Sequence, residues 1–63
     1  MRAVVLEQER EIYYGFSLVA TFQPYKDGVR IEPTKAANIG KYLAAIVALR
    51  DKGYDYVYEK SFK

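Results

Sequence analysis

The chain contains no cysteine, no histidine and no tryptophan, and only two prolines and four glycines among its 63 residues. Without cysteine there is no disulfide, no thiolate nucleophile and no cysteine-held zinc or iron–sulfur centre. Without histidine the commonest general base and metal ligand is missing. Chemistry is left to carboxylates, lysines, tyrosines and hydroxyls, in a chain too short to enclose a deep cleft. Neither a glycine-rich phosphate loop nor a Gly-x-Ser-x-Gly elbow occurs. The reading is therefore not an enzyme, with no catalytic, cofactor-binding or metal-binding residue assigned. No run approaches the ~18 apolar residues of a spanning helix, and Val4-Val5-Leu6 meets Glu7 too soon for the apolar region of a signal peptide. The expectation is a cytoplasmic chain with no membrane partner.

What is present is a globular composition: 51% hydrophobic and 29% charged, both near the average for folded proteins, so the chain is expected to form one small domain over residues 1–63. Ten Lys and Arg stand against eight Asp and Glu, a net charge of +2 that is too small and too dispersed to select a partner by itself.

Residues Arg2 to Glu7 read as a strand, because Val4, Val5 and Leu6 supply β-forming character before the polar run Glu7-Gln8-Glu9-Arg10-Glu11 turns the chain. The second strand is expected over Ile12 to Phe22, where Ile12, Tyr14, Phe16, Leu18, Ala20 and Phe22 alternate at period two with Tyr13, Gly15, Ser17, Val19 and Thr21 and form the core face. Uncharged over its whole length, it is expected in the middle of the sheet. Pro24 and the turn residues Lys26-Asp27-Gly28 end it near Gln23, and a third strand starts at Val29. Pro33 stops that strand and Thr34 is placed to cap a helix over Lys35 to Lys52, with Gly53 at the left-handed position beyond its end. A fourth strand is read over Tyr54 to Lys60, followed by a Ser61-Phe62-Lys63 tail. The order β-β-β-α-β describes a small two-layer α+β domain, an antiparallel sheet of three to four strands covered on one face by the single helix.

At 100° per residue the helix places Ile39, Leu43 and Ile46 on one line, flanked by Ala36, Tyr42, Val47 and Leu49, as the face toward the sheet. Ala37, Gly40, Ala44 and Ala48 form a stripe of small residues on the other side. Such a stripe lets a second backbone approach closely, either a second copy of the chain or a partner. The plainer reading is that alanine is simply the best helix former, and Gly40 can equally mark close approach to the domain's own sheet.

Seven tyrosines are the other conspicuous feature. Tyr54, Tyr56 and Tyr58 alternate with Asp55, Val57 and Glu59, and since Asp55 and Glu59 resist unpaired burial the tyrosines are read as pointing partly inward. The alternative is an exposed aromatic surface of Tyr13, Tyr56 and Tyr58, suited to a protein interface or to stacking the bases of a single strand. Glu7, Glu9 and Glu11 read as a solvated turn. Asp55 and Glu59 lie ~13 Å apart along a strand, too far for a carboxylate pair acting on one bond.

A single core of this size is only marginally stable, and with no disulfide to help, association is the remaining common support. The sequence thus points to a small non-catalytic protein–protein interaction module of accessory or inhibitor type, a homodimer that occupies the surface of an unidentified protein partner. Compact phage and mobile-element accessory proteins share this size. The alternative is a single-stranded nucleic-acid binder using the tyrosine-bearing sheet face with Arg30 and Lys60.

Overall fold

The computed structural model describes residues 2–62; Lys63, the last residue of the expected tail, lies outside them. Five strands and one helix follow one another: β1 (Ala3–Leu6), β2 (Glu11–Tyr14), β3 (Ser17–Tyr25), β4 (Gly28–Pro33), α1 (Ile39–Asp51) and β5 (Val57–Glu59). The strands form one sheet in the order β1-β2-β3-β4-β5, and α1 packs on one of its faces, giving the two-layer α+β domain expected. The first four strands are an antiparallel meander. β5 joins β4 in parallel, so the sheet is mixed and α1 is the crossover between its last two strands.

The strand read over Ile12 to Phe22 is in fact two. Gly15, with φ of 65°, takes the first central position of a two-residue hairpin and leaves Phe16 wholly exposed at its tip. Beyond the turn the alternation ought to be inverted, since Tyr14 faces Ser17 and Tyr13 faces Leu18. A register shift then brings Ile12 opposite Ala20, so Val19 is an extra residue and Ala20 and Phe22 return to the helix-covered face. That bulge is why Ala20 and Phe22 share the core face with Ile12, whereas Leu18, expected there too, faces Tyr13 on the other side of the sheet and Val19 is buried in its place. Pro24 lies inside β3 opposite Val29, past the end of β2, whose pairing stops at Thr21, so its missing N–H breaks no β2 ladder bond.

The helix begins four residues later than the sequence suggests. Thr34 caps nothing helical: its hydroxyl donates to the Leu18 carbonyl at 2.6 Å and accepts from Ala36 N at 3.2 Å, holding a turn against β3. Asn38 is the cap, its Oδ1 accepting from Lys41 N at 2.8 Å. Gly53 does take a left-handed conformation beyond the C-terminal end, with φ of 104°.

α1 is also turned about its own axis, by roughly 80° at 100° per residue, from the orientation its pattern suggests. Tyr42, Ala45, Ile46 and Leu49 are buried, whereas Ile39 and Leu43, expected against the sheet, are more than half exposed. Tyr42 explains the turn. Its hydroxyl shares its single proton between the Lys60 carbonyl at 2.7 Å and the Ile31 carbonyl at 3.2 Å, and its ring lies 5.8 Å from that of Phe62. A buried phenol needs a polar partner, and the β4–β5 junction supplies two. The core is completed by Val5, Ile12, Val19, Ala20, Phe22, Val29 and Ile31.

β5 is shorter than expected. Tyr54 to Tyr56 are not strand, and Tyr54 folds back so that its ring meets Phe22 edge-on at 6.1 Å. The connection passes so close to β4 that a Cβ on Gly28 would lie 1.9 Å from the Tyr56 carbonyl oxygen, the same oxygen that accepts from Val29 N at 3.0 Å. Gly28→Ala is expected to cost about 1–3 kcal/mol through this overpacking, read as a lower urea midpoint.

Burial raises the Tyr42 pKa above its ordinary value, more than the nearby Glu59 does. The bonded form is the neutral phenol, so its stabilisation is complete below pH ~10 and is lost as pH climbs through the higher folded-state value. Tyr42→Phe is expected to lose about 1–2 kcal/mol at neutral pH. It should also show a flatter fall in unfolding midpoint above pH ~10 than the parent chain, checked by denaturant titrations at stepped alkaline pH.

Candidate functional site

Three surfaces emerge from this arrangement. The first is the outer ridge of α1. With Tyr42, Ala45, Ile46 and Leu49 committed to the core, residues four apart on the opposite side line up as Ile39, Leu43 and Val47, exposed by 55%, 52% and 52%. Arg50 borders this ridge on the β5 side and reaches Glu59 at 3.5 Å, an exposed pair of small energetic weight. Because the charged residues of α1 are gathered at its ends and flanks, the middle of the ridge is entirely aliphatic.

The second surface is a groove of about 630 Å³ between α1 and β1. Its helix wall is Ala44, Val47 and Ala48, its sheet wall is Ala3, Val4 and Val5, and Arg2, Asp51 and Lys52 stand around it. Among the described residues β1 pairs only with β2, so its other backbone edge runs along the groove without a strand partner.

The third surface is the sheet face that α1 leaves uncovered. Register places Val4, Leu6, Glu11, Tyr13, Thr21, Gln23, Arg30, Glu32 and Tyr58 there. At its β5 end Tyr58 donates its hydroxyl to Asp27 Oδ1 at 2.6 Å and meets the Tyr25 ring edge-on at 5.1 Å, while Lys26 Nζ lies 5.3 Å from the Tyr25 centroid and 5.9 Å from that of Tyr58. Lys26 holds this place with a φ of 51°, an uncommon value for a side-chain-bearing residue. The bond to Asp27 is the main cause that raises the Tyr58 pKa. At the other end Tyr13 donates to Glu11 at 3.2 Å, and the Glu11 charge raises its pKa.

The residues singled out from the sequence separate among these surfaces. Of the small-residue stripe, Ala44 and Ala48 are half-buried in the groove wall, Ala37 packs against the domain's own core, and Gly40 is exposed near the start of α1. A Cβ on Gly40 would meet only Asn38 Oδ1, at an ordinary 3.5 Å. Tyr13 and Tyr58 share the uncovered face but stand on β2 and β5, ~14 Å apart across the sheet at ~4.8 Å per strand and further separated along it, since Tyr13 faces Leu18 whereas Tyr58 lines up through Arg30 with Gln23. Tyr56 is 54% exposed and precedes β5. Arg30 is directly beside Tyr58 in the register, and Lys60 is exposed beyond β5.

The sequence reading missed the ridge, the groove and the exposed Phe16. Phe16 was signalled by Gly15, the one glycine inside the supposed strand, which marks a turn when two strands can pair across it. Ridge and groove follow from the rotation of α1, for which Tyr42 was the available cue.

Gly40→Ala is expected to stabilise the fold by about 0.5 kcal/mol, since it removes backbone freedom from the unfolded chain and meets no obstacle here. Thermal melting of the two proteins side by side checks it. The chain was compared with protein-family models, with curated proteins and with solved structures, and none matches it.

Proposed function

We propose that this chain is a non-catalytic protein–protein interaction module, an accessory or inhibitor-type protein that acts by covering part of a partner's surface and that self-associates. The observation that carries this reading is the aliphatic ridge Ile39-Leu43-Val47, three residues each more than half exposed in one line on a helix that has buried its other side. A surface helix ordinarily presents charged or polar side chains there. A continuous apolar ridge on so small a domain is the pattern of a helix face that docks into a groove.

A second reading keeps one specific observation in its favour: Arg30 and Tyr58 are cross-strand neighbours on the uncovered sheet face, the pairing of cation and ring that a single-stranded nucleic acid would use. Against it, Glu11, Glu32 and Asp27 lie on or beside the same face and oppose a phosphate backbone.

Affinity capture from the native host separates the two. A stoichiometric protein partner held by the parent chain is expected to be lost with Leu43→Lys, by tenfold or more in retained amount, and kept with Tyr58→Ala. Leu43→Lys should retain parental melting behaviour, because Leu43 is exposed, and Tyr58→Ala should melt lower yet stay folded at the capture temperature, because it gives up the Asp27 and Tyr25 contacts but lies outside the core cluster. A labelled oligonucleotide bound at ~50 mM salt, released by ~200 mM salt and lost with Tyr58→Ala would instead establish the nucleic-acid reading.

A further inference from the structure

The two edges of the sheet differ in kind. β5 is three residues long and its closing residue is Glu59, followed by Lys60, so that edge is short and charged. β1 is four residues long and carries no charge of its own between Arg2 and Glu7. Ala3-Val4-Val5-Leu6 contains no proline and no bulge, and its outer edge opens onto the apolar groove beside α1. Folded proteins avoid leaving such an edge in water, because its free N–H and C=O groups template another strand.

We infer that the occupant of this edge is β1 of a second copy, paired antiparallel about a two-fold axis perpendicular to the sheet, so that two five-stranded sheets become one of ten strands. This names the self-association within the function proposed above and rests on that reading. The sequence of the strand is self-complementary in this arrangement. A register centred on Val5 sets Val5 against Val5 of the second copy, Val4 against Leu6 and Ala3 against Glu7. Val4 and Leu6 are 53% and 38% exposed in the single chain, and the pairing brings them side by side on the same face.

The charges agree as well. Arg2 precedes the strand, and the turn carrying Glu7 and Glu9 follows it. Antiparallel pairing brings the basic end of each strand near the acidic end of the other, an attraction between ends and not a direct pair, since Arg2 is in phase with Val4 on one face and Glu7 with Val5 on the other. Within one chain the two ends cannot meet: Arg2 and Glu7 are five residues apart on an extended strand, ~17 Å at ~3.4 Å per residue. Any coupling between them is therefore intermolecular. An axis perpendicular to the sheet also keeps both helices on one side, leaving Ile39 and Leu43 of each copy free for a partner.

Sedimentation velocity of the full chain at 1–100 µM, a range chosen as roughly that over which small dimers dissociate, is expected to give a dimer of twice the 7.3 kDa chain mass. Val4→Lys and Leu6→Glu should each raise the dimer dissociation constant about tenfold, and the double variant, which sets introduced charges of opposite sign directly across from each other, should recover to within about threefold of the parent. Amide exchange over Ala3 to Leu6 should slow as concentration rises. A parent chain that stays monomeric throughout would overturn the pairing, as would a dimer indifferent to both substitutions. Leu43→Lys keeps the two proposals apart. A strand-paired dimer retains its mass in that variant whether or not the ridge captures a partner. A dimer lost only with Leu43→Lys would overturn strand pairing and leave the ridge as the site of self-association.

Discussion

The hydroxyl of Tyr42 fixes where everything else on the helix can go. Anchored to the carbonyls of Ile31 and Lys60, it fastens α1 to the one place where the sheet changes from antiparallel to parallel pairing. Residues on the same side of α1 follow it inward, so Ala45, Ile46 and Leu49 fill the space over the sheet and the helix lies nearest β1. Ile39, Leu43 and Val47 are carried outward by the same rotation, and Ala44 and Ala48 come to rest along the groove. One polar contact thus decides which apolar residues stabilise the fold and which are presented to the surroundings.

The sheet shows the same division of labour. Its covered face is continuous from Val5 through Ile12, Ala20, Phe22 and Ile31, with no buried side-chain nitrogen or oxygen left unpartnered among the described residues. Its uncovered face mixes tyrosines with charges of both signs and gives no single chemistry to a ligand. The apolar character that a partner could use is concentrated instead at the side of α1 and along β1, where covering it removes aliphatic surface from water at about 25 cal/mol per Å².

Much of this architecture was legible in the chain because local signals and global fold agree. The β1 strand, the polar turn after it, the Val29-to-Pro33 strand, the existence of one long helix and its Gly53 terminus all follow from residue type and spacing. What was not legible depended on long-range choices. The Tyr14-to-Ser17 hairpin was hidden because apolar alternation continues through it and the bulge at Val19 restores the same parity afterward. Asn38 displaced Thr34 as the cap because Thr34 was engaged by a carbonyl of β3, sixteen residues away in sequence. The helix orientation escaped the periodic pattern because hydrophobicity ranks Ile39 and Leu43 above Ala45, whereas the structure needs a small residue near the sheet and a phenol within reach of two carbonyls. The tyrosine-rich C-terminal segment was ambiguous for a related reason: both faces of its alternation carry rings or charge, and only contacts with Phe22 and Asp27 distinguish Tyr54 from Tyr58.

The parallel placement of β5 has a bearing on how the chain reaches its native state. The meander β1 to β4 closes through turns of two to four residues, each a local event on the microsecond scale. β5 can find β4 only after residues 34–56 have looped across the sheet, so its ladder waits on the docking of α1 and bears the entropy of closing the longest segment in the molecule. The last strand to arrive is also the one held by the fewest residues. Opening of the native state therefore begins at the C-terminal edge, and β5 can detach and return many times while the four-stranded meander stays intact.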